Sequence, residues 1–115
     1  MAQIDKTQFN DNFQYFDKEI VLEIIDIFIN EYPDRITAIS ESINKKDYDA
    51  IKFNSHSIKG VIANFIAPEV EQKARELEIM GSNQNIDGID EIFAAFKALS
   101  AEMVEELREL RNDFM

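Results

Sequence analysis

Apolar residues recur along most of the chain at alternating steps of three and four, the period of a helix with one buried face, and leave little room for strands. After Asp17, the series Val21, Ile25, Phe28, Tyr32, Ile39 and Ile43 forms one such stripe, broken only at Pro33 and Asp34. Proline lacks an amide donor, so Pro33 is expected to kink or split this helix. Residues 44–46 read as a polar turn, and Asp47 can cap a third helix with the stripe Tyr48, Ile51, Ser55, Ile58, Ile62 and Phe65. Pro68 suits a first helical position and Glu69 and Glu71 its positive dipole end, which predicts a fourth helix over residues 68–80, ended by Gly81. A loop over 82–86 leads to a last helix over 87–112, lined by Ile89, Phe93, Phe96, Ser100, Met103, Leu107 and Leu110. Ahead of these, residues 7–15 form a short helix whose Phe9 and Phe13, with Phe16 just after, can cover the core as a lid.

No stripe can bury itself alone, and the connections are short, so the expected fold is all-α. It is an antiparallel up-down-up-down four-helix bundle with a short additional N-terminal helix, formed as one domain over residues 1–115. Composition agrees, with three Gly, two Pro and 45% hydrophobic residues. The four stripes can satisfy one another, which predicts a monomer.

Charge and residue usage narrow the function. Twelve basic against twenty-three acidic residues leave a formal charge of −11, which repels nucleic acid and anionic lipid and points to protein partners. The absence of Cys removes disulfide and thiolate chemistry and suits a reducing compartment. The N-terminus lacks the basic start and apolar run of a signal peptide. The most apolar stretch, residues 20–29, contains Glu23 and Asp26 and is half the roughly 20 residues a membrane span needs. A cytoplasmic location without a membrane span is therefore expected. No GxxxxGK[ST] phosphate loop is present, which argues against a kinase or ATPase. Asp87, Asp90 and Glu91 lack the spacing of a calcium loop and suit a solvated helix start, so no metal site is expected.

The chain has one histidine, the residue whose neutral ring offers a nucleophilic nitrogen near pH 7. At about 100° per residue, His56 projects roughly 140° from the stripe of Ile51, Ile58 and Ile62, so it should face solvent. On the same face lie Lys52 at i−4, Lys59 at i+3, Gly60 at i+4 and Ala63 at i+7. Glycine in a helix interior costs about 0.5–1 kcal/mol relative to alanine, and close approach by another molecule would explain Gly60. The cations favour a neutral ring with its lone pair available, and the Lys59 ammonium can steady phosphoryl oxygens. Phe53, at i−3, also projects outward, where it can contact a partner or pack beneath the first helix. Each of these residues also has a plain reading: His56 as an inert surface histidine and Lys52 as an ordinary surface lysine.

The stretch HSIKGVIANFIA, from His56 to Ala67, resembles the histidine-phosphotransfer domain signature H-x-[L/I]-K-G-S-S-x-x-[L/I/F]-G-A. His56, Ile58, Lys59, Gly60, Phe65 and Ala67 agree. Val61 and Ile62 replace the usual small polar pair, and Ile66 replaces the second Gly, a change expected to alter the helix end and partner preference. The resemblance extends to the order and lengths of the helices. It implies that His56 is the phosphorylated residue, Lys59 the cation that steadies the phosphoryl group, and Gly60 the gap that admits a partner. The partners it implies are response-regulator receiver domains and a hybrid histidine kinase. It further implies a carrier without kinase or ATPase activity and with no cofactor of its own, the Mg²⁺ residing on the receiver. The competing reading is a non-catalytic helical adaptor that binds a protein through Phe53 and the N-terminal aromatics, for which His56 is dispensable.

Overall fold

Capping side chains and left-handed turns divide the chain into its helices. The computed structural model describes residues 2–115. These form α1 (Lys6–Phe13), α2 (Lys18–Asn44), α3 (Tyr48–Ala63), α4 (Pro68–Asn83) and α5 (Ile89–Arg111), then a 3-10 turn at Asn112–Phe114, with no strand among the described residues. The Asp5 carboxylate accepts from the Gln8 amide and the Asp47 carboxylate from the Ala50 amide, each at 3.1 Å, so α1 and α3 begin with a satisfied donor.

The C-terminal ends use backbone geometry. Lys46 turns left-handed at φ +53°, donating to the Ile43 carbonyl at 3.0 Å while Asp47 donates to Ser42 at 3.0 Å. Gln84 repeats the turn after α4 at φ +54°, with its amide on Gly81 and the Asn85 amide on Met80. Both are Schellman closures, in which glycine is the usual residue.

Three expectations are corrected. Pro33 does not split α2, which is helical throughout its 27 residues. The ring sits on the exposed face, and the buried Phe28 and Ile39 anchor the helix on either side. Gly81 does not end α4: it is buried within the helix against α3, and Gln84 makes the closing turn. The last helix also starts two residues late, at Ile89, after Gly88 at φ +78°.

The stripes meet as a helical bundle in which α2 and α4 each pack against both α3 and α5. Phe28, Ile25, Ile39, Ile51, Ile58, Ile62, Leu77, Phe96, Met103 and Leu107 are fully buried, each stabilising by about 1.5–3 kcal/mol over an exposed position. Tyr32 and Phe93 lie only partly buried at its edge. Ser100 keeps its place in the stripe by sharing a 2.6 Å hydrogen bond with the Tyr32 hydroxyl.

At one end α1 lies over the core. Phe9 stacks on Phe65 at 6.4 Å and Phe65 meets Phe28 at 5.4 Å, while Phe16, half exposed, packs edge-on against Phe13 at 5.3 Å and forms the lid's rim. The Glu106 carboxylate accepts from the Gln3 and Ile4 amides and ties the segment before α1 to α5. No helix among the described residues is long and apolar enough to cross a membrane.

Lys46 is exposed, so little side-chain contact offsets its left-handed backbone. Lys46→Gly is expected to stabilise the protein by about 0.5–1 kcal/mol and raise Tm by a few degrees in a thermal melt. An unchanged or lower Tm would show that the turn carries no strain.

Candidate functional site

The buried face of α3, made of Ile51, Ser55, Ile58 and Ile62, fixes the helix rotation and turns His56 outward. Its side chain is 69% exposed. Gly60 and Ala63 are exposed on the following turns, and a Cβ at Gly60 would meet nothing within 4 Å. No internal contact therefore requires glycine at that position. The ring stands beside a bare strip of helix.

Glu78 on α4 completes the site, and the sequence reading did not include it. One carboxylate oxygen lies 2.8 Å from His56 Nδ1 and the other 2.5 Å from Lys59 Nζ. Burial alone would raise the Glu78 carboxyl. The hydrogen bonds from Lys59 and His56, together with their charges, outweigh it and hold the group below the ordinary glutamate range. An ionised carboxylate only accepts hydrogen bonds, so the proton of the neutral ring belongs on Nδ1 and the lone pair on Nε2. The expected cations are thus placed differently from one another. Lys59 is four-fifths buried and paired with Glu78, whereas Lys52 is exposed.

Phe53 is 72% exposed and is not beneath α1, which sits at the far end of α3, where Asn12 donates to the Asn64 carbonyl at 3.3 Å. Phe53, Lys52, Asp49, His56 and Glu78 line a depression of about 290 Å³. A second groove of about 280 Å³ lies between α2 and α3, but there Arg35 is bonded to Glu31 and Ser57 and no nucleophilic ring is present.

The departures from the family signature have structural reasons. Ile62 is fully buried and Val61 partly so, which makes them core in place of small polar residues. Ile66 adopts φ +57°, the left-handed conformation that glycine takes without steric cost, and its carbonyl accepts from the Asp5 amide at 2.9 Å. The turn after α3 is therefore left-handed even without glycine, at a cost of roughly 1–2 kcal/mol for a side chain with a Cβ.

Because the folded state lowers the Glu78 pKa, the stability from its two bonds is present above the ordinary carboxylate range and fades as pH falls through the lower folded value. The Glu78 carboxyl, followed by carbon-13 NMR, is expected to titrate below the exposed glutamates. A normal midpoint would mean that the triad does not form.

The sequence profile of the Hpt domain family matches residues 23–113. The crystal structure of histidine-containing phosphotransfer protein B (HptB) from Pseudomonas aeruginosa PAO1 superposes with a TM-score of 0.89 at 16% identity, covering 99% of this chain and 98% of that one. At that identity the likeness is one of fold. No curated protein matches in sequence. With the family match spanning most of its length, the chain belongs to the Hpt domain family, the histidine-phosphotransfer intermediates of phosphorelay signalling.

Proposed function

We propose that His56 is the phosphoryl acceptor and that the chain carries the group from a receiver-domain phospho-aspartate to another receiver. The observation that carries this reading is a mostly exposed His56 ring whose Nδ1 is held by Glu78 at 2.8 Å. The Nε2 lone pair attacks phosphorus in line, the N–P bond forms, and the P–O bond to the aspartate breaks, releasing its carboxylate. The ring keeps its Nδ1 proton and becomes cationic, and the Glu78 carboxylate balances that charge. Return transfer reverses each step, with the ring leaving as neutral imidazole.

Lys59 shares Glu78 in the free protein and can turn its ammonium to the phosphoryl oxygens once they arrive. Gly60 and Ala63 admit the partner, while Phe53 and Lys52 form its contact rim. The receiver supplies Mg²⁺ and most of the transition-state stabilisation, and this chain is a carrier without kinase or ATPase activity of its own. A hybrid histidine kinase is a fitting upstream source.

The same reading takes residues 1–115 as one domain, monomeric and cytoplasmic, with the −11 charge disfavouring nucleic acid and membrane. The antiparallel up-down-up-down arrangement is supported by helix register. Gly81 lies against Tyr48 and Lys52 while Glu78 reaches His56 and Lys59, so α3 and α4 run in opposite directions at the site.

His56→Gln is expected to abolish phosphoryl acceptance from a phosphorylated receiver and to leave Tm within a few degrees, because the ring is mostly exposed. Full acceptance by this variant would refute the assignment by placing the acceptor elsewhere, whereas no acceptance by the wild type, with partner binding intact in both, would favour a pure adaptor. Lys59→Ala is expected to slow transfer at least about tenfold with the helical signal intact. Unchanged rapid-quench rates would remove Lys59 from the chemistry.

A further inference from the structure

Glu78 can serve His56 only if α3 and α4 lie close together, and their separation is fixed one turn away. A Cβ at Gly81 would fall 2.7 Å from the Lys52 amide nitrogen and 3.0 Å from both the Tyr48 carbonyl oxygen and Ile51 Cγ2. Two of these three are backbone atoms of α3, which cannot rotate aside. Ordinary carbon contacts begin near 3.5 Å, so any other residue here must push the helices apart by about 0.5–1 Å. Glycine also weakens a helix interior relative to alanine, and this close approach accounts for its presence here.

Both sides of the acceptor contact continue from this point. Glu78 is three residues before Gly81 on α4, and His56 is four residues after Lys52 on α3. Displacing α4 here carries the Glu78 backbone with it. One carboxylate oxygen is bound to His56 and the other to Lys59, so a single change of rotamer cannot restore both contacts. An added separation of about 0.7 Å would stretch the 2.8 Å bond to the limit at which such bonds weaken.

We propose that Gly81 is a positioning residue for the acceptor. By seating α4 on the α3 backbone, it lets Glu78 hold the proton on His56 Nδ1 and leave Nε2 bare. The proposal rests on His56 being the acceptor, yet its first readout, the ring tautomer, does not need transfer to occur. Failure of the acceptor assignment would appear as phosphoryl acceptance by His56→Gln, and failure of the Gly81 proposal as an unmoved tautomer.

The test is nitrogen-15 NMR of the His56 ring in the full chain above neutral pH, comparing wild type, Gly81→Ala and Glu78→Asp. The wild-type ring is expected to be protonated on Nδ1, and both variants to shift toward the Nε2-protonated form that an unrestrained histidine favours. Acceptance from a phosphorylated receiver should fall roughly 10- to 100-fold in Gly81→Ala, and by no more when Glu78→Ala is added than in Glu78→Ala alone. A folded Gly81→Ala that keeps the Nδ1 proton, or rate losses that multiply, would overturn the proposal. Should Gly81→Ala fail to fold, Glu78→Asp decides. It withdraws the carboxylate by about 1.5 Å and leaves Gly81 in place, so a retained Nδ1 proton there would mean that the site tolerates a wider gap than Gly81 controls.

Discussion

The hydrogen bond between Glu78 and His56 Nδ1 is the contact on which the proposed site depends, because it fixes which nitrogen of an exposed imidazole keeps its lone pair. A free surface ring distributes its proton between two nitrogens. A carboxylate beside one of them removes that freedom, at the expense of partly burying a charge. Lys59 offsets that expense by holding the second oxygen. The three side chains come from two helices, so the fold, and above all the contact between α3 and α4, determines whether the group is assembled.

The surroundings of the ring are as informative as its partners. A phosphoryl carrier must let another protein reach its acceptor atom, and this chain leaves Gly60 and Ala63 as low ground beside a ring that is mostly in solvent. Glu78 and Lys59 are largely covered, whereas Phe53 stands exposed beside them. On the proposed function, a division of labour follows from this arrangement: the chain would supply a nucleophile of fixed orientation, and the partner would bring the metal and the phosphoryl group.

Most of the helical plan could be read from the sequence because each stripe has the helix period and each start carries a capping signal such as Asp47 or Pro68. His56, Lys59, Gly60 and Ala63 were legible because they share one face of one helix. Glu78 was not, since it is one of twenty-three acidic residues and only the register of α4 on α3 distinguishes it. Gly81 was misread for a related reason. Near the end of a helix glycine signals a stop, and nothing local reveals that another backbone fills the space where its side chain would be. Pro33 does not split α2, because the buried anchors on either side outweigh its low helix propensity. Lys46, Ile66 and Gln84 adopt left-handed turns where tertiary geometry outweighs the preference for glycine.

The most direct test of the central claim is to locate the phosphoryl group at atomic resolution after transfer. The full chain would be incubated with a phosphorylated receiver and studied under alkaline conditions that preserve phosphoramidates, by mass spectrometry and phosphorus–nitrogen NMR. The account requires a single phosphoryl group on Nε2 of His56. Attachment at Nδ1, or at any other residue, would contradict it.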